Sequence, residues 1–107
     1  MKYLLLIYQS EPHPEFHAAY GAFTQSIQDS GHYLGGNALR SIDTASTVRV
    51  RDGKTLTTDG PFAETREHLA GYYMIEAENL DDALGIAARI PSAAVGSIEV
   101  RPIQVYS

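Results

Sequence analysis

The sequence predicts an α+β domain of the ferredoxin-like split βαβ kind carrying an extra β-hairpin, and three observations lead there. Apolar side chains switch between a period of two and a spacing of three and four along the chain, in the order strand, helix, strand, ribbon, strand, helix, strand. An Asp52-Gly53 pair between alternating residues places a hairpin in the middle of that order. The chain has 107 residues, enough for one core and one domain.

Each element has its own local reason. Tyr3 to Tyr8 is apolar on both faces, with Tyr3, Leu5 and Ile7 pointing one way and Leu4, Leu6 and Tyr8 the other. A strand of that kind is covered on both sides. Phe16, Tyr20, Phe23 and Ile27 then form one helical stripe; Pro14 suits the first turn and Gly31 a left-handed stop. The stretch HYLGGNAL at 32–39 reads as a second strand interrupted at Gly35 and Gly36, where a bulge or a close backbone approach is expected. Val48 and Val50 alternate with Arg49 and Arg51 before the turn, predicting an exposed ribbon that returns through Leu56. The stretch GYYMIEA at 71–77 is a further strand with large side chains on both faces. In the second helix Asn79 is the expected cap with Asp82 three residues on, and Leu80, Ala83, Leu84, Ala87 and Ile90 form the expected apolar face, closed by Pro91. Gly85 falls opposite that face. Ile98 and Val100 alternate with Glu99 and Arg101 in the last strand.

Two helices cover one face of such a sheet. The other carries either Tyr72, Met74 and Glu76 or Tyr73, Ile75 and Ala77, together with the Glu99 and Arg101 side of the last strand. That face is too apolar to sit in water and too polar for a dry core. A second subunit resting on it, with a partly wet cavity between the sheets, is the expected solution; a monomer with the face solvated is the alternative.

Composition narrows the partners. Thirteen acidic against eight basic side chains give a net charge of −5, which repels nucleic-acid phosphates. The absence of cysteine removes disulfides, thiolate metal sites and cysteine nucleophiles. The opening MKYLLLIYQS reads as a strand rather than a signal peptide, and no segment approaches the roughly twenty apolar residues of a membrane span, so a cytoplasmic location is expected.

The segment TDGPFAETREHLAGYYMIEAENLDDALGIAARIP followed by GSIEVRPI resembles the DGPF branch of the YCII-related domain family. The likeness rests on DGPF at 59–62, on Glu64, Thr65 and Glu67, and on EVRP at 99–102, and it runs through a single domain over 1–107. The resemblance implies a dimeric α+β barrel similar to muconolactone isomerase-like proteins, with sheets of two ferredoxin-like subunits facing each other. It also implies a histidine and an aspartate of functional interest, with some relatives linked to dehydrohalogenation-type lyase chemistry. DGPF members occur beside or fused to sigma-70-type transcription factors, so a regulatory module working with an extracytoplasmic-function sigma factor is the second functional reading. Matching the H-x-x-Y pattern puts the family's histidine at His17, whereas counting back from the helix end puts Tyr20 there. Asp59 is the nearest candidate for the aspartate.

Candidate chemistry follows. The Asp59-Gly60-Pro61-Phe62 turn has a structural reading, with an Asx-turn at Asp59 and Phe62 anchored in the core, and a functional one, with Asp59 held at a cavity mouth as a general base. His17 is either a proton carrier or a solvated flank residue. His13 and His17 share a helical face but lack a third ligand, so no metal is expected. His68 beside Glu67 has the same two readings as His17, while Glu64, Arg66 and Glu67 read as a solvated loop with an ion pair worth under ~1 kcal/mol. Arg101 either pairs with Glu99 and Glu76 or receives a substrate carboxylate. Asp59, His17 and Tyr20 are therefore the catalytic candidates, and Phe62, Tyr72, Tyr73 and Arg101 the ligand contacts. The sequence holds no nucleotide-binding or hydrolase signature. Isomerase or lyase chemistry on a small organic acid, which needs no cofactor, is the first functional reading.

Overall fold

The computed structural model describes residues 1–106. In chain order its main elements are β1 (Lys2–Gln9), α1 (His17–Asp29), β2 (Tyr33–Ala38), β3 (Ser46–Arg51), β4 (Lys54–Asp59), β5 (His68–Glu76), α2 (Leu80–Ala87) and β6 (Ser97–Pro102). One antiparallel sheet has the order β2-β5-β1-β6, while β3 and β4 pair only with each other. α1 carries the chain from β1 past β5 to β2, and α2 carries it from β5 past β1 to β6. These two crossings are the split βαβ plan of a ferredoxin-like α+β fold.

Strand alternation then sorts the side chains. Tyr3, Leu5, Ile7, Tyr73 and Ile75 turn toward the helices and meet Phe23, Ile27, Ala83, Ile86, Ala87 and Ile90 in one core. Register sets Leu4 beside Met74 and Arg101, and Leu6 beside Tyr72 and Glu99. The uncovered face is thus the one with Tyr72, Met74 and Glu76, and its apolar side chains stay only half-buried in the single chain.

Local signals act as their chemistry dictates. Gly31 takes φ +81°, and the amides of Gly31 and His32 reach back to the carbonyls of Gln28 and Ile27, a Schellman stop. Asp52 and Gly53 both have positive φ, as a type I′ turn demands. The pairing of β2 with β5 shifts register between Tyr33 and Gly35. At Gly36 the strands come so close that a Cβ would stand 2.8 Å from the Tyr72 carbonyl oxygen. Asn79 Oδ1 accepts from the Asp82 amide at 2.9 Å, capping α2.

Three expectations need correction. Pro14 opens a 3-10 turn, Pro14–Phe16, ahead of the α-helix rather than its first turn. α2 ends at Ala87, because the Arg89 and Ile90 amides bond to carbonyls three residues back and tighten the chain before Pro91. Its buried face includes Ile86, while Leu80 and Leu84 stand nearly half exposed. Phe62 does not anchor a turn in the core: it is 77% exposed. The 60–62 turn is held instead by polar bonds to the ribbon, from Gly60 N to Ala45 O (2.7 Å), Thr47 Oγ1 to Gly60 O (2.9 Å) and Arg49 Nη2 to Phe62 O (3.3 Å). The ribbon itself stands off the core, so whatever it holds stands off too.

The chain is flat, with extents of 47 × 42 × 18 Å. Its surface is 7477 Å², against roughly 5,900 Å² for a compact monomer of this mass. Its radius of gyration is 15.7 Å, against about 13 Å for a compact domain of this length. No helix among the described residues is long and apolar enough to cross a membrane.

Candidate functional site

A cavity of about 660 Å³ opens on the helix-covered side of the sheet, where β2 and β5 leave the shelter of α1. Its walls come from the end of β1 and the segment after it (Gln9 to Pro14), from Tyr20 and Thr24 of α1, from the segment after β2 (Leu39 to Ile42), from the first half of β5, and from Ser92. Gly36 and Gly71 lie in its floor, so two adjacent strands present backbone there instead of side chains. A Cβ at either glycine would meet backbone, 2.8 Å from the Tyr72 carbonyl oxygen at Gly36 and 2.9 Å from the Asn37 carbonyl oxygen at Gly71, so the glycines let the two strands of the floor close up.

Hydroxyl groups converge on this hollow. Ser92, almost wholly buried in the 3-10 turn Pro91–Ala94, donates to Gln9 Oε1 at 2.8 Å. Its single proton is thereby used, and the Tyr20 hydroxyl donates to Ser92 Oγ at 2.6 Å. This leaves the Tyr20 oxygen lone pairs for another donor. Thr24 Oγ1 and the Tyr73 hydroxyl are 2.6 Å apart. Burial pushes the Tyr73 phenol above its ordinary value, the Thr24 hydrogen bond opposes that, and the nearby Tyr20 and Tyr33 phenols add to it.

Two imidazoles border the same space. His13 Nδ1 lies 2.7 Å from Glu15 Oε1, and its ring stacks on Phe16 with centroids 5.2 Å apart. The Glu15 carboxyl is held below its usual range first by its own backbone amide and then by His13. His68, half-buried at the start of β5, and Arg40 complete the basic part of the lining. The rest of the wall is largely apolar, with Ile7, Leu39, Ile42 and Leu69.

The YCII-related domain model matches residues 1–107. The chain belongs to the YCII-related domain family. It is also similar to an uncharacterised protein of Rhizobium meliloti (strain 1021), 47% identical over 75 residues, a match that covers 66% of this chain and 60% of that protein.

Within this YCII-related fold the sequence candidates divide. Tyr20, Tyr72 and Tyr73 border the cavity. The Tyr72 side chain itself lies on the bare face, its hydroxyl accepting from Asn37 Nδ2 at 3.0 Å. Asp59, His17, Phe62 and Arg101 lie elsewhere. Asp59 ends β4 opposite Ser46 and is exposed, as is His17 in the first turn of α1. Arg101 lies on the bare face, its Nη1 3.9 Å from Glu99 Oε2. Tyr8 donates to Glu99 Oε1 at 3.4 Å, and burial, then the Glu99 charge, raise its phenol. The hollow found in one chain is therefore on the opposite side of the sheet from the cavity expected between two sheets.

Gln9, Thr24, Arg40 and Ser92 were not singled out by sequence reasoning. Each is a common residue outside any motif. Only the meeting of five separate segments gives them a shared role.

Proposed function

We propose that this YCII-related protein binds a small organic acid in the helix-side cavity and moves a proton on it without a cofactor. The observation that carries this reading is the cavity of about 660 Å³ into which the Tyr20 and Tyr73 hydroxyls converge over a glycine-lined floor. Ligand sites are concave, mostly apolar and furnished with a few fixed polar groups, typically about 300–1,000 Å³. In this reading Arg40 at the wall receives the carboxylate, and the two phenols orient the ligand body. His68 supplies the imidazole that carries the proton. Proton abstraction beside a carbonyl followed by return to another atom is isomerase chemistry; loss of a leaving group from the same carbanion is lyase chemistry. A second copy of the chain covers the bare face, where Leu4, Leu6 and Met74 lie beside Glu76, Glu99 and Arg101.

A thermal-shift screen of small carboxylates tests the reading. Ligand at about 100 times its Kd stabilises by about 2.7 kcal/mol, a shift of many degrees for a domain this size. The shift is expected to persist in Asp59→Asn and to fall sharply in Tyr73→Phe and Arg40→Gln. Equal shifts in all four proteins would remove the cavity from ligand binding.

A further inference from the structure

We infer that the β3–β4 ribbon, with Phe62 at its base, is an arm that clasps a second copy of this chain. The inference rests on the reading that the chain pairs with itself, and it adds a surface which that reading does not use.

The Gly60, Thr47 and Arg49 hydrogen bonds already described close the ribbon onto the turn that follows it, and among the described residues no hydrogen bond joins β3 or β4 to the helices or the four-stranded sheet. A lone two-stranded hairpin is marginally stable in water. Its register sets Val48 opposite Thr57 and Val50 opposite Thr55, so one face is a continuous β-branched surface. That face is uncovered, with Val48 61% and Val50 59% exposed. Phe62, in the turn at the ribbon's base, adds an exposed aromatic ring, the residue class that most often anchors an interface when it finds a pocket.

Two quantities identify the occupant as another copy. The chain exposes about 1,600 Å² more than a compact monomer of its mass. That surplus matches the roughly 1,000–2,500 Å² each partner contributes to an obligate homodimer. Charge points the same way. The ribbon, residues 46–59, holds three of the eight basic side chains but only two of the thirteen acidic ones, so its sign opposes the acidic remainder. A basic arm and an acidic body on the same molecule are complementary between identical chains, and a two-fold axis makes both contacts at once.

Sedimentation velocity over a concentration series tests the arm, using wild type, Phe62→Ala, the double variant Val48→Lys/Val50→Lys, and Leu6→Lys on the bare sheet face. The ribbon positions are exposed, so each ribbon variant keeps its core. Wild type is expected to dimerise, and either ribbon variant is expected to raise the dissociation constant by at least about tenfold. Amide exchange supplies a second readout: Val50 and Leu56 are expected to lose protection when wild type is diluted into monomer. If both ribbon variants associate as tightly as wild type while Leu6→Lys separates, self-pairing stands and the arm is overturned. A wild-type chain that stays monomeric at high micromolar concentration overturns both.

Discussion

Leu5 and Leu6 are neighbours of one kind in β1, and Tyr72 and Tyr73 are neighbours of one kind in β5, yet each pair is split between two environments. Leu5 and Tyr73 lie beneath the helices, shielded almost completely, while Leu6 and Tyr72 stay half open on the other face. Hydropathy along the strands does not separate them. The crossings do: both α1 and α2 land on one side of the sheet, and the apolar side chains on the far side stay only half-buried. The covered face supplies the core and the hollow beside it; the bare face keeps its apolar side chains half open to water.

The sharpest way to break this comparison is to truncate across it. Leu5→Ala is expected to cost about 2–5 kcal/mol in urea unfolding, since its cavity opens inside the packed layer. Leu6→Ala is expected to cost under about 1 kcal/mol at concentrations low enough to keep the chain monomeric. Equal costs would mean that the two faces are not different in kind. Next in size is Gly36→Ala, whose Cβ would press on the Tyr72 carbonyl oxygen and the Tyr73 ring, both 2.8 Å away. A loss of about 1–3 kcal/mol is expected, read as a lowered melting temperature. Gly85→Ala on the exposed flank of α2 meets no atom within 4 Å and is expected to gain up to about 1 kcal/mol. Asn79→Ala removes the cap of α2 and is expected to cost about 1 kcal/mol, since that helix holds three core residues in place.

The smallest effect concerns pH. Tyr73 has its phenol raised by burial on the covered face, so folding favours the neutral form. The stabilisation is then fully present below the ordinary tyrosine value of about 10 and is lost as pH rises through the higher folded value. Urea unfolding followed upward from neutral pH is expected to show an alkaline decline that Tyr73→Phe diminishes. An identical decline in the variant would place the titration elsewhere.

Much of the frame was readable because it is local. Asp52-Gly53 permits one kind of turn, Asn79 with Asp82 writes a cap, and Gly31 writes a stop, whatever surrounds them. The order of strands and helices follows from such signals. Phe62 was misplaced because a large apolar side chain after a turn usually turns inward, whereas this turn belongs to a ribbon that stands away from the core. Spacing alone puts Leu84 on the apolar face of α2 and passes over Ile86, whereas the way α2 sits on the sheet buries Ile86 and leaves Leu84 nearly half exposed. Of the cavity, the sequence offered Tyr20 and Tyr73 as separate candidates but not their meeting. Gln9, Tyr20, Gly36, His68 and Ser92 come from five segments with no shared motif, and only tertiary closure brings them together.

The most direct test of the account is amide and side-chain NMR of the labelled chain titrated with the carboxylate that gives the largest thermal shift. The expected result is a set of saturating perturbations at Tyr20, Thr24, Gly36, His68 and Tyr73, with the far side of the sheet unmoved. Perturbations centred on Leu4, Leu6, Met74 and Arg101, with the helix-side hollow silent, would contradict it and move the ligand to the bare face.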